Sequence, residues 1–173
     1  MKVGTKSVLF GVHCALWHPI SVALAWRKYY HRWPSGMVEW VAILLHDVGY
    51  WGMPNMDGPE GQEHPWVSAQ IAAQFFDKKR EVNRVIGLIV GHSRHFAKTH
   101  GLPISDLYAP DKICVLYDPM WFYLLRANLS GEIAEFMQNG PAEVRHSQRA
   151  WFKWYRNKIR TEFYGDKSKV QKR

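Results

Sequence analysis

The spacing of apolar residues predicts helices along almost the whole chain. Apolar side chains recur every three or four residues through 19–31 and 79–92, which places them on one face of a helix. The segment Met37–Leu45 is apolar on every side except at Glu39, which is typical of a helix buried in a core. No segment alternates apolar and polar residues as a half-buried strand does. The pattern therefore predicts an all-α fold.

Prolines, glycines and polar clusters set the expected ends of these helices. Two loops are expected: Gly49–Glu63, which is rich in glycine and proline, and Arg94–Ala109. The predicted helices cover 19–31, 36–48, 64 to about 77, 79–92, 110–117, 120–129, a short segment after Gly131, and 141–164. We expect a single domain over residues 1–165, followed by a polar, basic tail at 166–173.

The composition fits one well-packed domain rather than a disordered chain. Of the 173 residues, 47% are hydrophobic and 14% aromatic, which is enough for a substantial core. No run of about 18 uncharged apolar residues occurs, so no membrane span is expected. The first residues have a weak likeness to a signal peptide, but His13 interrupts their apolar part and no convincing cleavage site follows. Cys14 and Cys114 lie in apolar surroundings, as expected of buried thiols in a reduced cytoplasm.

Positive charge is concentrated near the end of the chain. Residues 141–173 contain ten lysines and arginines against three acidic residues, whereas residues 1–140 contain thirteen against twelve. Within 149–160, aromatic residues alternate with basic ones, a composition that can bind single-stranded nucleic acid or an anionic membrane surface. The aromatic residues also recur at the spacing of a helix that packs on the body of the domain. We favour packing and keep the binding surface as an alternative.

The pair His46-Asp47 is the strongest chemical signal in the sequence. It stands near the end of the apolar helix predicted over 36–48. Burying an unpaired carboxylate costs several kcal/mol, so Asp47 needs a buried partner, and a metal cation is the simplest one. Because adjacent helical side chains diverge by about 100°, we expect the ion to lie beside the helix, between the two directions.

Four further residues of metal-binding type lie at predicted helix ends, on inward faces. They are His18, His64, His92 and Asp111. Together with His46 and Asp47 they form a set of nitrogen and oxygen ligands that suits Mn, Fe, Co, Ni or Zn. Each of the four also has an ordinary interpretation, as a helix cap, a solvated helix end or a carboxylate that complements a helix dipole.

The order His…His-Asp…His…His…Asp resembles that of the HD-domain superfamily of metal-dependent phosphohydrolases. Three local contexts carry the likeness to the first family histidine, the signature pair and the last aspartate. They are His18-Pro19-Ile20-Ser21-Val22-Ala23, Leu44-Leu45-His46-Asp47-Val48-Gly49 and Ala109-Pro110-Asp111-Lys112-Ile113. The resemblance covers about residues 10–125. It implies an HD-domain-like orthogonal helical bundle with a metal centre in its core, followed by C-terminal helices over 126–165.

The resemblance also implies one or two divalent transition metal ions. One ion would be held by His18, His46, Asp47 and Asp111. A second would be held by His64 and His92, with Asp47 bridging. Tyr50 stands where the superfamily branch that cleaves cyclic dinucleotides has a lysine and where a nucleotide-specific branch has a glutamate. Neither branch's substrate preference therefore carries over to this chain.

We expect this centre to hydrolyse a phosphate ester or anhydride, of a nucleotide or a cyclic dinucleotide, through attack by a metal-bound hydroxide. Asp47 is the expected catalytic carboxylate. Arg94, His95 and Lys98 follow His92 closely and are expected to bind the phosphate oxygens.

Two other functions stay open at this point. Some HD-type proteins with the same ligands hold two irons and cleave small organic substrates with oxygen. Alternatively, the basic aromatic segment near the C-terminus makes the chain a non-enzymatic binder of nucleic acid or of an anionic surface.

Overall fold

Ten α-helices and four short 3-10 helices make up the described part of the chain, residues 1–165 of a computed structural model, and no strand occurs among these residues. The α-helices are α1 (Val3–Phe10), α2 (His18–Tyr30), α3 (Gly36–Leu45), α4 (His64–Ala73), α5 (Lys79–Val90), α6 (Arg94–Thr99), α7 (Tyr108–Ile113), α8 (Met120–Ser130), α9 (Glu132–Gln138) and α10 (Gln148–Tyr164). The prediction of an all-α fold is confirmed. The tail predicted at 166–173 lies outside the described residues. None of the described helices is both long and apolar enough to cross a membrane.

The main hydrophobic core lies between the inner faces of α2, α3, α4, α5 and α7. Val22, Ile43, Ile89 and Ile113, from four of these helices, have no exposed surface. Fully burying a side chain of this kind contributes roughly 1.5–3 kcal/mol, so the packing holds the helices at defined positions. Helix α10 closes the same core with Phe152, which is 1% exposed.

Helix α3 ends at Leu45, three residues earlier than predicted. The chain then turns into a 3-10 helix at Val48–Tyr50. The turn passes against α4, because the Gly49 amide donates a hydrogen bond to Ser68 Oγ at 2.8 Å. A Cβ at Gly49 would lie 2.2 Å from the carbonyl oxygen of His64, so only glycine fits there. His46 and Asp47 therefore stand on a tight turn after the helix rather than on the helix itself.

The prediction of a loop over Arg94–Ala109 is wrong for its first six residues, which form α6. Ser93 caps this helix, since its hydroxyl oxygen accepts a hydrogen bond from the Phe96 amide at 3.3 Å. Phe96 and Ala97 are buried and anchor the short helix to the core. Serine as an N-cap is a local signal that the glycine and proline further along the segment obscured.

Several other elements differ from those predicted, since α4 ends at Ala73 rather than at about residue 77 and α7 covers Tyr108–Ile113 rather than 110–117. The first residues, whose weak likeness to a signal peptide was noted above, form α1 and pack against α8. Helix α10 begins at Gln148 instead of Pro141, because the Ser147 hydroxyl accepts from the Ala150 amide at 3.3 Å. Residues 142–144 before it form a separate 3-10 helix.

Glu39, the single charge in the apolar stretch, ties three helical segments together. Its carboxylate lies 2.8 Å from Arg32, just after α2, and 2.8 Å from Arg84 in α5. The Ser35 amide donates a further hydrogen bond to it at 2.6 Å. Burial raises the pKa of Glu39, but the hydrogen bonds from Arg32 and Ser35 outweigh burial and hold the pKa below its usual range. Glu39 therefore stays ionised in the folded state.

We expect Glu39→Gln to lower the free energy of unfolding by about 1–3 kcal/mol, because it weakens charge-assisted hydrogen bonds at a buried position. The expected loss of stability stays modest because both arginine partners are about half exposed to water. Urea unfolding measures the change. Glu143→Gln, at an exposed glutamate, is the matched control and should unfold like the wild type. Equal stability of the two variants would contradict the structural role of Glu39.

The stability difference between the wild type and Glu39→Gln should depend on pH. A carboxylate whose folded pKa is lowered stabilises the fold above its unfolded pKa of about 4.3 and loses this effect as the pH falls through the folded value. The stability difference between wild type and Glu39→Gln should therefore be largest above about pH 5 and shrink at lower pH. Urea midpoints at several pH values measure it, and a difference that grows in acid would contradict the prediction.

Candidate metal centre

The structure brings the six predicted ligands into one buried cluster at the centre of the helices. Each comes from a helix end or a short helix that points toward the core. His18 and His64 are the first residues of α2 and α4, and Asp111 lies within the short helix α7. The other three, His46, Asp47 and His92, follow the last turns of α3 and α5. All six residues are 7% exposed or less.

Four of these residues form the first ligand group: His18, His46, Asp47 and Asp111. His18 Nε2 lies 3.1 Å from His46 Nε2, 3.0 Å from Asp47 Oδ2 and 3.2 Å from Asp111 Oδ1. His46 Nε2 lies 3.2 Å from Asp47 Oδ2 and 3.5 Å from Asp111 Oδ1. The four ligand atoms therefore surround one small volume.

The second ligand group uses the other oxygen of the same aspartate. Asp47 Oδ1 lies 3.4 Å from His64 Nε2 and 3.4 Å from His92 Nε2. The two histidine nitrogens are 3.3 Å apart. Since Oδ2 belongs to the first group and Oδ1 to the second, Asp47 has the geometry of a bridging carboxylate.

Backbone carbonyls fix the protonation of three of the histidines. The Nδ1 atoms of His46 and His64 lie 2.9 Å and 2.7 Å from the carbonyl oxygens three residues before them, and His92 makes the same contact. A carbonyl can only accept, so each Nδ1 carries a proton and Nε2 is the ring nitrogen that faces the cluster. An acceptor on the outer nitrogen is typical of metal-binding histidines, whose other nitrogen is left to bind the ion. The fourth, His18, has its Nδ1 3.7 Å from the sulfur of Cys114, which like Cys14 is buried and free, as predicted.

The donor set fits a transition metal ion. Ligand atoms at about 2.0–2.2 Å from a common ion lie roughly 3.0–3.5 Å from one another in tetrahedral or octahedral geometry, and the distances within both groups fall in this range. Asp47 Oδ2 is buried without any hydrogen-bond donor among the described residues. A bound cation would satisfy this oxygen and the lone pairs that face it, so the residues present are compatible with an HD-type metal site.

The electrostatics of the cluster favour ionised carboxylates and a neutral His64. Burial raises the pKa of Asp47, but the neighbouring imidazoles of His46 and His18 outweigh it and hold the pKa well below its usual range. Burial lowers the pKa of His64 to about 4, more than the nearby Asp47 can offset. For His46 the balance is reversed, and Asp47 and Asp111 raise its pKa to about 9 despite burial.

A cleft opens on the cluster from two sides. The larger cavity, about 250 Å³, reaches from His18 and Asp111 to helix α10, and the smaller one, about 200 Å³, lies beside His64 and His92. Both cavities share five lining residues: His13, Tyr50, Asp57, Asp111 and Lys112. A ligand in either cavity therefore contacts the candidate metal centre.

Of the three residues predicted to bind phosphate, two line the smaller cavity and the third lines neither cavity. Arg94 and His95 line the smaller cavity. The Arg94 guanidinium is bound by Glu162 and lies over the Tyr108 ring at 5.0 Å. Lys98 is exposed and lines neither cavity, because Phe96 and Ala97 turn the inner face of α6 away from it.

Lys112 replaces Lys98 as the cation beside the cluster. Its ammonium lies 2.9 Å from Asp111 Oδ2, and its side chain lines both cavities. Burial lowers the pKa of Lys112, but the charge of Asp111 outweighs burial and raises it. The signal for Lys112 in the sequence is its position directly after Asp111, a predicted metal ligand.

Aromatic residues form the rest of the cleft. Tyr50 stacks on His64, with ring centres 3.7 Å apart. Trp154 and Tyr155 of α10 are half-buried and line the larger cavity, while Trp151 and Phe152 are buried. The aromatic residues of α10 therefore pack toward the body, as favoured from their spacing, and two of them also form a wall of the cleft, which the spacing did not indicate.

Comparison with known proteins found no relative: no protein-family model, no curated protein and no solved structure matches the chain. The case for a metal centre is therefore the geometry of the six side chains and the orphaned oxygen of Asp47.

Metal content tests whether Asp47 binds an ion in each of the two ligand groups. Wild-type protein purified without chelators should hold about two divalent ions per chain. Asp47→Ala should lose both, because it removes a ligand from each group, and His92→Ala should lose about one. Elemental analysis by mass spectrometry measures the ions, and circular dichroism checks that the variants fold.

Asp77→Ala, at an exposed aspartate far from the cluster in the sequence, is the matched control and should keep the wild-type metal content. An Asp47→Ala variant with its full complement of metal would show that the cluster is not the centre.

Proposed function

We propose that the chain is a metal-dependent phosphohydrolase that acts on a phosphate ester or anhydride, with nucleotides and cyclic dinucleotides as the substrate class. The observation that carries the proposal is the division of the Asp47 carboxylate between two histidine groups, which suits two adjacent ions at the base of a cleft. Two ions at such a spacing supply an activated water nucleophile and neutralise charge on a phosphoryl group.

Lys112 supplies the fixed positive charge that a phosphate substrate needs. Its ammonium stands between the two cavities, beside Asp111. A cation held at this place in a half-buried site stabilises the negative charge that builds up on the non-bridging oxygens as the ester bond breaks. Lys158, at the far end of the larger cavity, can bind a second anionic group of the substrate.

The larger cavity also has room and surfaces for a flat group. Trp154 and Tyr155 line it opposite His18 and Asp111, and Phe136 contributes a further ring. Asn139 and Asp57 add polar atoms, joined to each other by a hydrogen bond of 2.7 Å. Aromatic faces bind nucleobases by stacking, and amide and carboxylate groups can recognise their edges. This combination supports a nucleotide over a small alkyl phosphate.

A reconstitution experiment tests the reaction class. The protein is loaded separately with Mn, Fe(II), Co, Ni and Zn. Phosphate release is measured from nucleoside mono-, di- and triphosphates, and ring opening of cyclic dinucleotides is followed by chromatography. Oxygen uptake is recorded in parallel for the iron-loaded protein. Hydrolysis that disappears in Asp47→Ala supports the proposal. Oxygen uptake without hydrolysis of any of these substrates would replace it with an HD-type di-iron oxygenase.

Nucleic acid is a separate arm of the same experiment. Affinity of the metal-loaded protein for single-stranded DNA and RNA is measured at low and high salt. Tight binding that falls steeply with salt, in a protein without hydrolytic activity, would favour the non-enzymatic alternative.

Substitution of Lys112 tests whether it, rather than Lys98, is the cation that binds the phosphoryl group. We expect Lys112→Met to lower kcat/KM for the best phosphate substrate by about 10- to 100-fold, because a preorganised charge beside the phosphoryl group is lost. Lys153→Met, at an exposed lysine on α10, is the matched control and should leave kcat/KM unchanged. Metal content is measured in each variant. A larger loss in Lys98→Met than in Lys112→Met would reverse the assignment.

A further inference from the structure

A pair of residues outside the ligand groups, the partly buried His13 and the buried Glu132, faces the same cleft. His13 Nδ1 lies 2.8 Å from Glu132 Oε1, across 119 residues of sequence. His13 belongs to neither metal-ligand group, yet it lines both cavities of the cleft together with the ligands. Its ring centre lies 5.4 Å from that of His18 and 5.2 Å from that of Tyr50.

Glu132 is completely buried and its carboxylate is saturated with donors. Besides His13, Oε1 accepts a hydrogen bond from the Ser7 hydroxyl at 2.5 Å. Oε2 accepts from the Val12 amide at 2.8 Å and from the Ser130 hydroxyl. Burial raises the pKa of Glu132, but the bonds from His13 and the two serines outweigh burial and hold the pKa below its usual range. The carboxylate is therefore ionised and can only accept.

The carboxylate of Glu132 fixes which nitrogen of the His13 ring faces it. Because Glu132 only accepts, the bond between them requires a proton on His13 Nδ1. The Nδ1 edge of the ring is thus occupied by Glu132 and Ser7, and the Nε2 edge has no partner among residues 1–165. The side chain of His13 keeps 19% of its surface exposed, on the side of the cleft.

Further buried groups hold the segment that carries His13. Arg126, 4% exposed, donates to the carbonyl oxygens of Gly11 and Val12 at 3.3 Å and 3.2 Å, and is paired with Asp118. A Cβ at Gly11 would lie 2.4 Å from Glu132 Oε2, so the close approach of this segment to the carboxylate requires glycine.

Burying this polar network has a desolvation cost, and a gain in stability does not by itself explain why the network is there. Replacing a buried ionic network with apolar side chains is often neutral or stabilising, and α1, α8 and α9 offer apolar neighbours for such a replacement. The network instead orients one imidazole nitrogen at the edge of a cleft. A carboxylate, an imidazole and a facing reaction site form the arrangement by which enzymes position a proton donor.

Resting on the function proposed above, we propose that His13 is the catalytic residue that gives a proton to the leaving group, and that Glu132 is its positioning residue. The donating form of His13 is the imidazolium, which carries a proton on each ring nitrogen and whose charge is balanced by Glu132. As the ester bond breaks, its electron pair goes to the leaving oxygen, which takes the proton from Nε2. The attacking water forms the new bond to phosphorus and releases a proton. The imidazole takes up this proton and ends the cycle as it began.

The dependence on the leaving group tests this role. His13→Asn keeps an amide donor toward Glu132 but removes the atom that faces the cleft. A poor leaving group such as a nucleoside or alkyl alcohol needs the proton, whereas 4-nitrophenolate leaves without it. We expect kcat for the nucleoside or alkyl phosphate to fall by about 10² or more, and kcat for 4-nitrophenyl phosphate by less than about tenfold, with KM and metal content nearly unchanged.

Glu132→Gln, if it folds by circular dichroism, should show the same selective loss, and His146→Asn, at an exposed histidine, is the matched control. A purely structural effect would lower kcat equally for both substrates. Equal losses for the two leaving groups in His13→Asn, or no loss, would overturn the role of His13 while leaving the hydrolase in place. Failure of the metal-loaded wild type on every phosphate ester is a different result and removes the proposed function itself.

A readout independent of turnover checks the geometry. In zinc-loaded, diamagnetic protein, nitrogen–proton correlation spectra should show a strongly downfield Nδ1 proton at His13. The signal should be absent in His13→Asn and present in His146→Asn. A neutral His13 protonated on Nε2 instead would contradict the pairing with Glu132 and with it the proposal.

Discussion

The carboxylate of Asp47 is the constraint on which the rest of the site depends. It is buried at the meeting point of helices α2, α3, α4, α5 and α7, and one of its oxygens has no hydrogen-bond donor among the described residues. Around it stand the Nε2 atoms of four histidines and a second carboxylate, so the cluster gathers atoms of metal-ligand type where a folded core normally pairs each acceptor with a donor. A divalent cation on each side of Asp47 would resolve this conflict, and the spacing of the ligand atoms in each group is compatible with a common ion.

The helices supply the scaffold through their ends. His46, His64 and His92 each contact the carbonyl oxygen three residues earlier, and for His46 and His92 this carbonyl belongs to the last turn of the preceding helix. Such carbonyls lack a partner within their own helix. Here they hold imidazoles in one orientation, so the end of a helix does two things at once: it satisfies its own polar groups and aims a ligand into the core.

The cleft combines this centre with groups from the C-terminal half of the chain. Helix α10 contributes aromatic rings and Lys158, α7 contributes Lys112, and the start of α9 contributes Glu132, which holds His13 in place. The C-terminal helices therefore line the same cleft as the candidate metal centre. Positive charge, aromatic surfaces and the His13 imidazole all border this cleft, a combination that supports the phosphoryl transfer proposed above.

The sequence by itself determined the helical class, the position of most helices and the six residues of the candidate metal centre, because helix periodicity, caps and the His46-Asp47 pair are encoded within a few neighbouring residues. It missed α6 and placed the start of α10 too early, where single serine caps decided the boundary. The family resemblance already implied that Asp47 bridges two ligand groups, and its two oxygens lie accordingly. Only the tertiary structure decided that Lys112 rather than Lys98 faces the centre and that His13 meets Glu132. These are contacts between residues distant in sequence, set by how buried helix faces pack, and no local pattern of residues specifies that packing.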